Sequence, residues 1–166
     1  MLMLSRNLVR RFFLLVSIFH LFIAGNVFAW PGQIVSITDG DTIKVLHDGQ
    51  QVKVRLYGID APEKKQAFGQ AAKSQLQALV TGKQIDIEQV DIDRYGRTVG
   101  IVKADGAVIN GEMVKSGYAW VYEQYCHRAE CRDWKVEQMQ AVGVRCGLWQ
   151  DLAPIPPWEW RKKKYK

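Results

Sequence analysis

The sequence predicts an α+β protein that is mainly β, with a five-stranded barrel, a helix after strand three and two C-terminal helices. Apolar and polar residues alternate in five short segments, as in strands that bury one face. Helical periodicity occurs once after the third segment and twice after the fifth. A layered parallel sheet is disfavoured because it needs a helix between most of its strands.

The first three strands are predicted to form a meander. Residues 33–38, 42–46 and 51–57 each alternate between apolar and polar side chains. An Asp-Gly-Asp turn at residues 39–41 joins the first two strands, and the segment HDGQ at residues 47–50 forms the next hairpin turn. The ends of the first and third strands can therefore meet if the meander curls.

The remaining elements follow from apolar spacing and from helix-ending residues. A helix is expected at residues 68–80, and Gly82 is suited to a left-handed cap after it. Two further strands and two further helices are predicted at residues 85–87, 99–103, 108–116 and 130–144. This element order is that of an OB-type barrel with helices on its flank.

The charged loop between strands four and five opens like an EF-hand calcium loop but lacks the rest of that pattern. Tyr95 stands where a third ligand is needed, and Val102 stands where the bidentate glutamate belongs. We therefore interpret residues 91–98 as a charged loop closed by Gly96.

Both ends of the chain differ from its middle. Residues 1–29 have the pattern of a signal peptide, with three arginines before an apolar run at residues 12–23 and small residues at a cleavage spacing. We expect cleavage and export to the periplasm or the medium. The alternative is an uncleaved N-terminal anchor, although the run is short for a membrane span. Residues 30–152 are expected to form one domain, and the Pro-, Trp- and Lys-rich residues 153–166 a flexible tail.

The formal net charge of +6 belongs to the two ends of the chain. Residues 30–160 hold fifteen basic and seventeen acidic residues, a net charge of −2. A broadly basic surface for nucleic acid is therefore not indicated. Affinity for phosphate must come from individually placed arginines, a metal ion or the lysine-rich tail.

The three cysteines, Cys126, Cys131 and Cys146, all lie late in the sequence. An oxidising compartment favours a disulfide over thiols, and Cys126 and Cys131 are the closest pair. A zinc site formed by these cysteines and His127 is the alternative, but the spacing matches no common zinc pattern.

Four acidic residues form the first half of a candidate site. Asp39 and Asp41 taken alone fit an ordinary turn. If strands one and three curl together, however, Asp41 comes beside Asp60, which lies three residues before Glu63. Two adjacent carboxylates repel each other unless a cation joins them, and oxygen ligands without a nearby histidine favour Ca²⁺.

Arg55 and Arg97 form the second half of the candidate site. Surface salt bridges would explain either residue. A guanidinium group, however, binds two phosphate oxygens at once and keeps its charge. Two arginines, a divalent cation and a spare carboxylate are the groups that phosphodiester hydrolysis requires, because charge builds up on the phosphoryl group and a water molecule must be activated.

Three segments together resemble the staphylococcal nuclease (thermonuclease) family. They are DGDT at residues 39–42, RLYGIDAPE at residues 55–63 and DRYGR at residues 93–97. They occur in the family's order and spacing, and the resemblance extends from about Gln33 to Trp149. It implies a five-stranded OB-fold barrel and Ca²⁺-dependent hydrolysis of DNA and RNA that leaves 3′-phosphate ends.

The resemblance also implies a role for each matching residue. The Ca²⁺ ligands would be Asp41, Asp60 and the backbone carbonyl of Ala61. The phosphate-binding and catalytic side chains would be Arg55, Arg97 and, as general base, Glu63. Asp39 and Thr42 would support the ligands. The nucleotide would contact Arg94, Tyr95 and Tyr125, with Tyr118 and Tyr122 as alternatives to the last.

Two other classes of function are alternatives. A non-catalytic OB module could bind nucleic acid, but every catalytic position is filled and residues 30–160 are not basic. An envelope interaction domain would use Trp158, Trp160 and the lysine run, for which a solvated tail is the simpler interpretation. We expect a monomer that prefers single strands or frayed ends, because stacking requires accessible bases.

Overall fold

The computed structural model describes residues 29–164 of the chain. The predicted signal peptide, apart from Ala29, lies outside these residues and stays a prediction. Within the described range, no helix is both long enough and apolar enough to cross a membrane.

Strands form the centre of the fold and helices cover its outside. The strands are β1 (Ala29–Asp39), β2 (Thr42–His47), β3 (Gln50–Leu56), β4 (Ile59–Asp60), β5 (Ile85–Ile92), β6 (Thr98–Ala104), β7 (Ala107–Val108) and β8 (Trp120–Val121). The helices are α1 (Gly69–Val80), α2 (Ile109–Lys115), α3 (Glu130–Gly143) and α4 (Pro157–Lys164). Short 3₁₀ turns lie at Glu123–Tyr125 and Gly147–Gln150.

Five of these strands close into a barrel. Their order is β3-β2-β1-β5-β6, and a parallel pairing of β3 with β6 joins the two edges. In that pairing Val54 lies opposite Thr98, and Arg55 lies opposite Val99. The structure therefore confirms the predicted α+β, mainly β class and its five-stranded OB-type barrel.

The barrel interior is filled by the apolar residues whose alternation predicted the strands. The fully buried side chains include Ile43, Val45, Val54, Leu56, Ile85, Ile87 and Ile101. Helix α1 covers one end of the barrel with Ala72, Leu76 and Val80, none of which has measurable exposure. This is the expected helix after strand three, and its apolar face is core.

The hairpin between β2 and β3 has the turn that its sequence predicts. Asp48 and Gly49 have positive φ angles of 47° and 76°. Two consecutive residues of this kind form the type I′ turn, whose twist matches that of the flanking strands. The turn fixes the register in which Thr42 lies opposite Arg55.

Strand β1 begins earlier than its sequence predicts. Residues 29–32 include Pro31 and Gly32, which argue against a strand, yet they pair with β5. Trp30 lies opposite Ile87 in this pairing and is buried. Burial of its indole ring explains why the tertiary pairing prevails over the local sequence preference.

The C-terminal segment differs most from the expectation. Residues 153–166 were expected to be a flexible tail, but they include helix α4, which packs against the barrel. Two helices were predicted after strand five, at residues 108–116 and 130–144, and α2 and α3 occupy these positions. Helix α4 is an additional element of the fold.

A disulfide joins Cys126 to Cys131, the pair that the sequence favours. Cys146 is not part of it. Both bonded sulfurs lie in the core, beside Gly58, where a Cβ atom would approach the Cys126 sulfur to 2.5 Å. The sulfur atoms are therefore not available for the alternative zinc site.

Reduction of this disulfide should lower the free energy of unfolding by about 2 kcal/mol. This is the entropic contribution at 25 °C expected when a crosslink closes a loop of this length in the unfolded chain. Urea unfolding with and without dithiothreitol measures the effect. The double variant Cys126→Ser/Cys131→Ser is the control and should not respond to the reductant. An equal response of both proteins would contradict the assignment.

Candidate active site

The candidate site lies where the β1–β2 turn meets the end of β3 and the short strand β4. The backbone amide of Leu56 donates to the carbonyl oxygen of Asp41 at 2.8 Å, which holds the two segments together. A Cβ atom at Gly40 would lie 2.7 Å from the Cβ atoms of both Ala61 and Ala72. Only glycine permits this close approach, which brings Asp41 to the same place as Asp60.

Arg55 bridges the two aspartates that the sequence predicts as metal ligands. Its Nη1 atom donates to Asp41 Oδ1 and its Nη2 atom donates to Asp60 Oδ1, each at 2.6 Å. The other oxygen of Asp41 accepts a hydrogen bond from the Ala61 amide at 2.7 Å. The hydroxyl of Thr42 donates to Asp41 Oδ1 at 3.0 Å. The structure therefore gathers Asp41, Arg55, Asp60 and Ala61 at one point.

Burial gives this cluster its electrostatic character. The side chains of Asp41 and Asp60 are 3% and 0% exposed. Burial raises the pKa of Asp41 to about 6, against the opposing charge of Arg55, and the charge of Asp39 adds to the rise. Burial likewise raises the pKa of Asp60. Both carboxylates would be stabilised by further positive charge.

Glu63 lies beside this cluster on the loop after β4. Its side chain is 41% exposed, and its backbone amide donates to Gln66 Oε1 at 3.1 Å. Its Oε1 atom accepts a hydrogen bond from Arg161 Nη1 at 2.8 Å. The predicted general base is therefore within reach of solvent and next to Asp60, which Arg161 also contacts.

Arg161 contacts the candidate site and was missed by the sequence analysis, which considered Trp158 only for an envelope contact. Arg161 makes an ion pair with Asp60 in addition to its bond to Glu63. Trp158 lies one turn earlier on α4 and stacks on Tyr122. The available signal was Pro157, which suits the first position of a helix, followed by Trp158 and Arg161 at a spacing that shares one helical face.

The second arginine lies in a separate cluster on the β5–β6 turn. Arg97 Nε donates to Asp93 Oδ2 at 2.6 Å, and the guanidinium groups of Arg94 and Arg97 lie 4.9 and 5.5 Å from the centre of the Tyr95 ring. Partial burial alone would raise the pKa of Asp93, but hydrogen bonds from the Arg97 amide and side chain and from the Tyr95 amide lower it.

The barrel brings this turn near the carboxylate cluster without direct contact. Arg55 lies opposite Val99, two residues beyond Arg97, so the two arginines are offset by about 7 Å along neighbouring strands. Within residues 29–164, no hydrogen bond or ion pair joins Arg97 to Asp41, Asp60 or Glu63. A bound phosphate could lie between the arginines.

An aromatic surface lies beyond Asp60. Tyr122 and Tyr125 have ring centres 4.8 Å apart, and the Tyr125 side chain is exposed. Tyr122 is stacked beneath Trp158, with ring centres 5.1 Å apart. Tyr125 is therefore the more accessible of these two candidates for stacking on a base.

The chemistry of the buried cluster fits a hard divalent cation. The two buried carboxylates offer only oxygen atoms, which suits Ca²⁺. Among the described residues, no group of three or more His, Cys, Asp or Glu side chains gathers around one cation position. The protein would therefore supply few ligands, and water and substrate oxygens would complete the shell.

Comparison with known proteins places this arrangement in a family. The sequence matches the family described as Staphylococcal nuclease homologue over residues 53–151. The chain belongs to the staphylococcal nuclease family. The family match confirms the resemblance; it includes the segments at residues 55–63 and 93–97, and residues 39–42 precede it. Membership of this family supports a nuclease activity.

Several bacterial relatives of this nuclease-family chain are similar over most of their length. A protein named Uncharacterized endonuclease from Escherichia coli O157:H7 is 42% identical over 146 residues, which cover 83% of this chain and 94% of the relative. A protein of the same name from Haemophilus influenzae is 45% identical over 133 residues, covering 80% and 73%. A protein named Micrococcal nuclease from Shigella flexneri is 40% identical over 149 residues, covering 82% and 85%.

Proposed function

We propose that this protein is a Ca²⁺-dependent nuclease that hydrolyses DNA and RNA and leaves 3′-phosphate ends. The observation that carries the proposal is the convergence of Asp41, Arg55, Asp60 and Glu63 at one end of the barrel. Family membership supports nuclease chemistry, and the oxygen-only donor set supports Ca²⁺.

The buried carboxylates would hold the cation and Arg55 would hold the phosphate. Asp41, Asp60 and the Ala61 carbonyl are the proposed ligands. When bound, Ca²⁺ supplies positive charge that stabilises the phosphoryl transition state. Arg55 already lies against both aspartates, so its guanidinium group is oriented before substrate binds. Its two-pronged geometry suits two oxygens of one phosphate group.

Glu63 would act as the base. Its carboxylate is partly exposed, so a water molecule can reach it while it stays close to Asp60. Glu63 would accept a proton as that water attacks phosphorus. The bond from phosphorus to the 5′ oxygen then breaks, and the leaving oxygen takes a proton from solvent, so that phosphate remains on the 3′ side.

The surrounding residues would bind the rest of the nucleotide. Arg97 would contact the same phosphate from the β5–β6 turn, where its bond to Asp93 fixes its position. Arg94 and Tyr95 would contact a neighbouring phosphate, and Tyr125 would stack on a base. Stacking on an aromatic ring discriminates weakly between bases, so the proposed specificity is broad, with single strands or frayed ends preferred.

We further propose that the protein is exported and acts as a monomer. The Cys126–Cys131 disulfide supports an oxidising compartment. Residues 1–29 would direct the export, with cleavage before Trp30.

Purified residues 30–166 should cleave single-stranded DNA when Ca²⁺ is present and lose this activity when a Ca²⁺-specific chelator is added. The same oligonucleotide should be cut more slowly when it is part of a blunt duplex. With a label at the 5′ end, the labelled product fragments should carry a 3′-phosphate. Activity should fall sharply in the Glu63→Gln variant.

Two results would overturn parts of this proposal. No cleavage with any divalent cation, from protein shown to be folded, would favour the non-catalytic binding module. Equal rates on single-stranded and duplex substrates would reject the proposed preference while leaving the nuclease activity in place.

A further inference from the structure

Helix α4 lies across the proposed active site and contacts Asp60, Glu63 and Tyr122. Arg161 Nη2 donates to Asp60 Oδ2 at 2.7 Å, and Arg161 Nη1 donates to Asp60 Oδ1 at 3.2 Å. The same Nη1 atom donates to Glu63 Oε1 at 2.8 Å. One turn earlier, the Trp158 ring stacks on Tyr122 with an angle of 5° between the ring planes.

The contacts of Arg161 occupy two carboxylates, those of Asp60 and Glu63, that the proposed reaction needs. The Arg161 guanidinium group engages both oxygens of Asp60, a proposed cation ligand; Arg55 contacts only its Oδ1 atom, so Oδ2 is occupied by Arg161 alone. It also engages Glu63, which must be able to accept a proton from water. Trp158 stacks on Tyr122, the neighbour of the proposed base-binding residue Tyr125, and so holds α4 over the site. Cation and water would therefore compete with α4.

Helix α4 is anchored at its start, and a cavity and a partly exposed ion pair lie along the rest of its contact with the barrel. The Gln66 side chain donates to the Ile155 carbonyl at 2.6 Å, which anchors the segment just before the helix. A cavity of about 70 Å³ lies next to this anchor and is lined by Phe68, Trp120 and Trp160 among others. The Arg161 side chain is 36% exposed, so ions in solution can compete with its contacts.

We propose that helix α4 is an autoinhibitory segment, in which Arg161 competes with Ca²⁺ for Asp60 and occupies Glu63, while the stack of Trp158 on Tyr122 holds the helix in place. This inference rests on the proposed function, because it assumes that Asp60 binds the cation. Binding of Ca²⁺ to Asp60 would displace Arg161 and free Glu63 for water. The segment would thus raise the Ca²⁺ concentration at which the protein becomes active.

The test is the affinity for Ca²⁺ alone, measured by isothermal titration calorimetry on residues 30–166. In Arg161→Gln the dissociation constant should fall about tenfold or more, as expected when the competent arrangement rises from about a tenth of the molecules to nearly all. Trp158→Ala should shift the constant in the same direction without a change of charge. Lys163→Gln removes one positive charge from an exposed position of the same helix and should change the constant less than about twofold.

The outcomes separate this inference from the proposed function. Equal Ca²⁺ affinity in wild type, Arg161→Gln and Trp158→Ala, with cleavage intact, would overturn the autoinhibitory role alone. Loss of cleavage in Arg161→Gln with unchanged Ca²⁺ affinity would also overturn it and make Arg161 a phosphate-binding residue. Absence of Ca²⁺ binding in all the proteins would overturn both the Ca²⁺ assignment and this inference.

Discussion

The variant Glu63→Gln should lower kcat by about 10²- to 10⁴-fold, the usual contribution of a positioned general base. The amide has nearly the shape of the carboxylate but does not accept a proton at neutral pH. Its only ion-pair partner among the described residues is Arg161, and the carboxylate is partly exposed. The free energy of unfolding should therefore change by less than about 1 kcal/mol.

A matched control separates catalysis from general loss of charge. Glu112 is also 41% exposed and also makes an ion pair, with Lys115. Glu112→Gln should leave kcat unchanged within about twofold, because surface substitutions away from a site have small effects. Both variants are compared by initial rates on single-stranded DNA and by urea unfolding. A similar loss of activity and stability in Glu63→Gln would make Glu63 a structural residue instead.

Arg55 is expected to behave differently from Glu63. The sequence alone allowed Arg55 to be explained by a surface salt bridge, which contributes little to stability. In the structure, however, Arg55 supplies the positive charge between two buried aspartates. A change at Arg55 would thus disturb activity and stability together, so Glu63 is the cleaner probe of the chemistry.

The variant Asn110→Leu should lower the free energy of unfolding by about 3 kcal/mol, because it leaves buried backbone groups without a partner. Asn110 is fully buried at the start of α2. Its Oδ1 atom accepts from the Val102 amide at 2.9 Å, and its Nδ2 atom donates to the carbonyls of Tyr57 at 2.9 Å and Gly100 at 3.2 Å. One side chain thus joins the loop after β3 to strand β6.

Exposed Gln89 provides the control for this prediction. Gln89→Leu replaces another amide side chain by leucine on strand β5, at an exposed position. It should change stability by less than about 0.5 kcal/mol. Urea unfolding with a common m value measures both effects. If Asn110→Leu were as stable as Gln89→Leu, the three hydrogen bonds of the Asn110 side chain would make no net contribution to the free energy of unfolding.

The barrel and most of the candidate site could be predicted from the sequence because both depend on local patterns. Alternation at residues 42–46 and 51–57 indicated buried strand faces, which the structure contains. Proximity of Asp41 to Asp60 was expected on the condition that the meander curls, and the structure meets this condition. Strand β1 was predicted too short because Pro31 and Gly32 disfavour a strand locally, whereas the pairing of residues 29–32 depends on the distant strand β5.

The role of the C-terminal segment could not be predicted because its contacts are distant in sequence. Arg161 and Asp60 are separated by 101 residues. Helix α4 is short and mostly polar, so periodicity gives no signal for a buried face, and the basic run is typical of a solvated tail. Asn110 was missed for a related reason, since its partners Tyr57 and Gly100 become neighbours only in the folded barrel.

The parallel pairing of β3 with β6 has a consequence for how the protein acquires activity during folding. Val54 and Thr98 are separated along the chain by α1 and β5. Contacts between residues so far apart in sequence form slowly, because closing a long loop reduces the entropy of the chain before the new contact contributes favourable energy. Arg55 and Arg97 lie on the two sides of this closure. A chain in which the barrel has not closed would therefore hold apart the two arginines that we propose to bind phosphate, and the proposed site would be complete only after closure.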